Sequence, residues 1–243
     1  MQQYFVSMDL ELGERIFLDE EASYHQIRVL RAREGDLLRL VDQRERAFLG
    51  SILPFSKKDK LLQVEILESL VENREFGREV VLFLALIKKD KFEWALQKAT
   101  ELGVTRIVPL VTEYTNHSFS RDLDRFRGRW EKIIREASEQ SERHKIPMLD
   151  ELLTFDELSD HLLDLNIFCY ERSGEKGENL IELMQEKCDV ESVGLVIGPE
   201  GGFSDREVAE ALEIGFHMVS LGSRVLRAET AVITALSPFA LLW

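Results

Sequence analysis

The stretch VGLVIGPEGGFSDREVAEAL, residues 193–212, sets an apolar run against a glycine-rich turn and then a helical pattern. Val193–Ile197 reads as a strand buried on both faces. Gly198-Pro199-Glu200-Gly201-Gly202 stops it, and Ser204 with Glu207 three residues on forms a capping box for the helix that follows. No Gly-Lys-[Ser/Thr] comes next, so the turn is not a P-loop. Nor is it G-x-G-x-x-G. Its place is the carboxyl end of a parallel strand, where open α/β sheets bind ligands. Glycines there let a ligand approach the backbone closely. A tight turn with no ligand fits the spacing equally well.

A second strand exit has the same character. VSLGSRVLRAET, residues 219–230, leaves the strand HMVSLG and enters a helix, with Arg224 and Arg227 three apart beside Glu229 and Thr230. Surface arginines and a carboxylate favoured at a helix start account for these residues on their own. Two glycine-bearing exits within the last fifty residues point instead to a shared pocket. A third exit, CYERSGEKGEN at 169–179, is placed to complete it.

Outward from these turns, strand and helix patterns alternate from residue 79. VVLFLALI, RIVPLV, LNIFCY, VGLVIG and HMVSLG read as strands. Helical patterns lie between and after them. Asp90 with Glu93 reads as the N-terminal cap of the first helix, Phe92, Leu96, Ala99 and Leu102 as its buried face, and Gly103 as its C′ residue. A long helix is expected over about 122–141. Such alternation means an α/β fold with a parallel sheet covered on both sides. The first seventy residues are different: short strands, with one helix around 20–30, suggest a small β-barrel-like domain. The expected division is 1–70, a linker at 71–78, and 79–243.

The 243 residues carry a net charge of −14. That total argues against a polyanion partner, but its distribution does not. Residues 76–146 hold 14 basic and 11 acidic residues, whereas 147–193 hold 3 and 13. A local basic surface can still meet phosphates. Arg28 and Arg31, three apart, would share a helical face. Arg121 to Lys145 carries eight basic and six acidic residues with Phe126 and Trp130 interleaved, which a solvated amphipathic helix explains equally well. No apolar run reaches the ~20 residues of a membrane span. No secretory signal is visible at the start. Cys169 and Cys188 lack metal-type spacing, and the five histidines form no metal or Ser/His/Asp constellation. A cytoplasmic protein without a metal is expected.

Taken together, HQIRVLRAREGD, KFEWALQKATELGVTRIVPLVTE, EASEQSER, VIGPEGGFSDRE and LGSRVLRAETAVITAL resemble one family, the bacterial 16S ribosomal RNA uracil-N3 methyltransferases of the SPOUT superfamily. The resemblance spans almost the whole chain. It implies a PUA-like barrel at the amino end and a SPOUT α/β domain with a trefoil knot in about 193–243. It implies S-adenosylmethionine as cofactor, a homodimer, and a uridine of small-subunit 16S ribosomal RNA as substrate. Gly198, Pro199, Gly201, Gly202, Leu221, Gly222, Ser223, Val225 and Leu226 would bind the cofactor, with the glycines leaving it room. Arg224, Glu200 and Glu229 would be catalytic, and Arg28, Arg31, Arg121 and Arg143 would meet RNA.

The sequence departs from that pattern at Gln2-Gln3, at Tyr114 where arginine is usual, at Glu142 in place of glycine, and at Ser223 in place of proline. The first three touch positions expected to face RNA. Two other readings therefore stay open: a non-catalytic RNA-binding or ribosome-assembly factor of the same fold, and a SPOUT methyltransferase acting on another RNA.

Overall fold

The computed structural model describes every residue except Asn73, 116–122 and 172–176, and only the backbone of 123–124. The chain forms two compact units. The first comprises Met1–Arg74 together with Glu139–Lys145, and the second comprises Glu75–Ser138 and Ile146–Trp243. A linear division at the linker has no place for Glu139–Lys145.

The first unit is built on β1 (Gln3–Phe5), β2 (Arg15–Phe17), β3 (Leu37–Val41), β4 (Ala47–Ile52) and β5 (Gln63–Leu70). They form one sheet in the order β1-β3-β4-β5-β2, antiparallel except for the parallel pair β1 and β3. Helix α1 (Glu20–Tyr24), capped by Asp19, runs into a π-helical turn at His25–Leu30. Arg31 ends that turn with φ of 56°. Arg28 and Arg31 therefore do not share a helical face, because the wider turn and the left-handed cap break the three-residue spacing. Both remain exposed.

Gln3, Glu142 and Arg143 correct the expectation of RNA-facing positions. Gln3 is fully buried and its Nε2 donates to the Arg143 carbonyl at 2.6 Å. Arg143 is only 3% exposed, which leaves its guanidinium no room for a phosphate. Glu142 takes φ of 57°, a conformation that suits glycine, and its carboxylate lies 3.0 Å from Arg74 and 3.8 Å from Arg39. Ion pairing here offsets backbone strain.

The second unit is an eight-stranded, wholly parallel sheet. Its strands are β6 (Glu79–Ala85), β7 (Arg106–Val111), β8 (Met148–Leu149), β9 (Leu153–Thr154), β10 (Leu165–Cys169), β11 (Glu178–Asn179), β12 (Ser192–Ile197) and β13 (His217–Ser220). The order is β11-β13-β10-β12-β6-β7-β8, with β9 also on β7. Alternation along β6 shows why the sheet is covered on both faces. Val80, Leu82 and Leu84 point into a core shared with Phe92, Leu96, Val232 and Phe239. Val81 and Phe83 point into another, shared with Phe155, Phe168 and Phe203.

Helices α2 (Lys89–Glu101), α3 (Leu123–Gln140), α4 (Leu180–Glu186), α5 (Asp205–Glu213) and α6 (Ala228–Leu242) complete the α-helices among the described residues. α2 begins earlier than its sequence signal: Lys88 occupies the cap position without a side-chain bond, and Asp90 sits in the first turn. Glu93 instead pairs with Arg129 at 2.7 and 2.8 Å. Trp130, interleaved among the basic residues of α3, is buried against Phe92 with ring centroids 4.6 Å apart, so it serves the core. Cys169 is buried too, which pushes its thiol up to about 12 and leaves it unreactive.

α2 ends in a Schellman motif: Val104 N–H donates to Ala99 O and Gly103 N–H to Thr100 O, each at 3.1 Å. Gly103 has φ of +91°, and a Cβ there would lie 2.3 Å from the Phe76 ring. Gly103→Ala therefore adds left-handed strain to overpacking, and urea unfolding should show a loss of roughly 2–4 kcal/mol. A loss below about 0.5 kcal/mol, the level of an ordinary surface change, would contradict this account of the turn.

Asp42 gives a pH-dependent counterpart in the first unit. Burial pushes its carboxyl up. The Arg46 guanidinium, at 2.6 and 2.8 Å, and backbone N–H groups of Arg46, Arg44 and Leu10 outweigh burial and hold it below the ordinary carboxylate value. A depressed folded value stabilises the protein above the unfolded value and loses that contribution as pH falls through the folded one. The stability gap between wild type and Asp42→Asn should thus be full at neutral pH and shrink below about pH 4. A gap independent of pH in denaturant melts would refute it.

Candidate functional site

The carboxyl ends of β6, β10, β12 and β13 surround a cavity of about 560 Å³. That lies within the range of roughly 300–1,000 Å³ typical of ligand sites. Ile197, Gly198, Pro199, Glu200 and Gly202 line it from the β12 exit. Leu221, Gly222, Arg224, Val225, Leu226 and Arg227 line it from the β13 exit, and Ala228, Glu229 and Ala231 from the start of α6. Cys169, Tyr170 and Glu171 contribute from the β10 exit, whose continuation at 172–176 lies outside the described residues. The two glycine-bearing exits thus converge because β10 separates β12 from β13 in the sheet.

The β12 turn is held by two glutamates. Ser204 caps α5, and Glu207 Oε2 accepts from the Ser204 N–H at 2.9 Å to close the capping box. Glu207 Oε1 accepts from the Glu113 N–H at 2.8 Å, beyond β7. Glu200 Oε1 accepts from the Lys88 N–H at 3.2 Å, beyond β6. The ends of three neighbouring strands, β12, β6 and β7, are therefore fastened to one another.

The glycines do not all leave room for a ligand. A Cβ on Gly198 would come within 2.7 Å of the Phe203 ring, and one on Gly201 within 2.9 Å of Tyr114 Cβ. These two glycines make room for the protein's own aromatic side chains. Gly201 and Ser223 are also absent from the cavity lining. Gly222 is the position facing open space, with φ of +112° and nothing within 4 Å of a Cβ. Gly202, φ +73°, would bring a Cβ 3.2 Å from Glu171 Oε1.

The candidate catalytic residues lie together at this cavity. Arg224 is exposed and has no ion pair among the described residues. Glu229 is 8% exposed, and its Oε1 lies 3.3 Å from Lys91 Nζ. Glu200 is exposed, with one oxygen committed to Lys88. Lys88 and Lys91 were missed in the sequence reading. Their signal is the KKDK run at the end of VVLFLALI, which has meaning only once β6 is seen beside β12. Of the residues expected to meet RNA, Arg121 lies outside the described residues. Among the described residues no group of His, Cys, Asp and Glu could hold a metal ion, and no helix is long and apolar enough to cross a membrane.

The cavity's walls suit a nucleoside-like ligand. Apolar Ile197, Leu221, Val225 and Leu226 can flank a ring, and the open Gly222 exposes main-chain groups for hydrogen bonding. Comparison with known proteins agrees with this chemistry. An RNA methyltransferase domain family matches residues 74–240. The chain is 32% identical to the ribosomal RNA small subunit methyltransferase E of Mesomycoplasma hyopneumoniae, covering 98% of both chains. It is 32% identical to that of Bacillus subtilis, covering 98% of this chain and 95% of the other. Among solved structures, a Legionella pneumophila protein in complex with the cofactor S-adenosylmethionine is similar with a TM-score of 0.85 and 33% identity, over 98% of this chain and 96% of that one. The methyltransferase E of Neisseria gonorrhoeae, bound to S-adenosylmethionine, gives 0.84 and 27% over 100% and 98%. By full-length similarity in both sequence and fold, this chain belongs to the ribosomal RNA small subunit methyltransferase E family.

Proposed function

We propose that this chain transfers a methyl group from S-adenosylmethionine to N3 of a uridine in 16S ribosomal RNA of the small subunit. The observation that carries the reading is the cavity of about 560 Å³ where the β12 and β13 exits meet. The open backbone at Gly222 and the apolar Leu221, Val225 and Leu226 would hold the adenosine. Bound there, the cofactor supplies an electrophilic methyl on a sulfonium.

The chain's own residues must deal with the nucleophile. Uracil N3 carries a proton at neutral pH and attacks poorly until it is lost. Arg224, exposed and unpaired among the described residues, can stabilise the negative charge that develops on the uracil oxygens. Glu200 keeps an oxygen outside its bond to Lys88 and is the better placed proton acceptor. Glu229 is engaged by Lys91 and holds that lysine at the cavity wall. N3 is hidden in a base pair, so the target must be unpaired or flipped.

The same reading makes the first unit a PUA-like barrel that helps hold RNA, with exposed Arg28 and Arg31 meeting phosphates. It closes residues 193–243 into a trefoil knot. The order β13-β10-β12 supports that, since the chain must cross from one side of β10 to the other. It also pairs two chains into a cytoplasmic homodimer. Support comes from Val225, which is 80% exposed at the cavity and is a natural contact for a second copy.

Transfer of labelled methyl to small-subunit particles, with the modified nucleotide mapped, tests activity and target together. A single N3-methylated uridine in 16S RNA is expected. A different modified RNA, or no turnover despite cofactor binding, would replace this reading with one of its rivals. Arg224→Ala should lower kcat by roughly 10²–10³, the scale of a lost oxyanion donor, while affinity for S-adenosylhomocysteine stays near wild type. An unchanged kcat would remove Arg224 from the chemistry.

A further inference from the structure

Against Gly201, whose neighbours Glu200 and Gly202 line the cavity, is rooted an aromatic residue that neither buried core of the second unit uses. Tyr114 is 51% exposed, just beyond β7. Its turn is fixed from three directions. Thr115 N–H donates to Thr112 O at 3.1 Å, and Thr112 N–H donates to Thr115 Oγ1 at 2.9 Å. Glu113 N–H donates to the buried Glu207 at 2.8 Å. The other oxygen of that carboxylate holds Ser204, so the Tyr114 turn and the β12 turn move as one piece.

Gly201 completes the mounting. A Cβ there would lie 2.9 Å from Tyr114 Cβ and 3.6 Å from Cγ, so the tyrosine is rooted directly on bare backbone. Gly201 is not in the cavity wall, but its neighbours Glu200 and Gly202 are. The root of the ring is thus one residue, about 3.8 Å along the backbone, from the wall. Leaving a large aromatic in water forgoes burial that the core would reward. Holding it on a rigid turn lowers the entropy cost of binding through it. Unpaired RNA bases are recognised by stacking on such rings. Exposed Lys88 and Arg224 at the same cavity supply cations for the adjoining phosphates.

We propose that Tyr114 stacks on an unpaired RNA base adjoining the one that enters the cavity, making it a substrate-positioning residue. This rests on the methyltransferase reading for the identity of the ligand as RNA. The consequence is a split between RNA recognition and cofactor binding: Tyr114 governs the first and leaves the second alone.

The test is equilibrium binding of a fluorescein-labelled, single-stranded, uridine-rich RNA to the full chain with S-adenosylhomocysteine present. Wild type, Tyr114→Phe and Tyr114→Ala are compared, with S-adenosylhomocysteine titrations and methyl transfer run alongside. Tyr114→Ala should bind RNA roughly 5- to 100-fold more weakly, and KM for RNA should rise while kcat changes little. Tyr114→Phe, which keeps the ring, should match wild type, and all three should bind S-adenosylhomocysteine equally. Unchanged RNA affinity in Tyr114→Ala overturns the proposal. So does a parallel loss of cofactor affinity, a change only in oligomeric state, or failure of wild type to bind the RNA. RNA binding that follows this order without any methyl transfer would support the stacking role while defeating the enzymatic reading.

Discussion

A buried carboxylate holds the working end of the sheet together. Glu207 is fully buried, and a carboxyl group in that position is tolerated only if hydrogen bonds replace its water. Both oxygens are used, one on Ser204 at the start of α5 and the other on Glu113 beyond β7. Glu200 makes the matching link to Lys88 beyond β6. Parallel strands leave their carboxyl-end loops free to wander, and here two glutamates remove that freedom from three of them. The β12 and β6 sides of the cavity keep their shape because they are tied by hydrogen bonds to backbone, which depend on position and not on the identity of the neighbouring side chains.

The consequence for chemistry is a division of labour. The β12 and β13 exits offer backbone and small apolar side chains, suited to a nucleoside held by its shape and its hydrogen-bonding edges. Charge is confined to Lys88, Lys91, Arg224 and Arg227 on one side of the ledger and Glu171, Glu200 and Glu229 on the other. Arg224 is exposed and free of any ion pair among the described residues, and Glu200 is exposed with one oxygen on the Lys88 backbone N–H. A methyl transfer to a weakly acidic nitrogen asks for little else: alignment, a cation for the developing charge, and a proton acceptor.

Much of this was legible in the sequence because local signals were strong. Apolar runs of five to eight residues marked the central strands, and Ser204 with Glu207 marked the start of α5 where it is found. Gly103 marked the end of α2 through a left-handed turn that glycine adopts without strain. What the sequence hid was partnership at a distance. Nothing in Glu207 announces that its second oxygen reaches residue 113. Gly198 and Gly201 advertise space, but only the fold shows that Phe203 and Tyr114 take it. Arg143 reads as a surface cation and is buried, while Glu142 reads as a lost glycine and keeps the left-handed turn by ion pairing. α2 started early because the Lys88 carbonyl accepts from Phe92 N–H at 2.9 Å, a backbone matter invisible to side-chain capping rules.

The central claim is that these rims are spaced to receive an adenosyl group against main chain. A crystal of the full chain soaked with S-adenosylhomocysteine tests it most directly. The account predicts density between the β12 and β13 exits, with the base hydrogen-bonded to backbone of residues 221–226 and the bonds from Glu207 to Ser204 and Glu113 intact. Ligand bound elsewhere, or exits closed on one another with the ligand excluded, would contradict it.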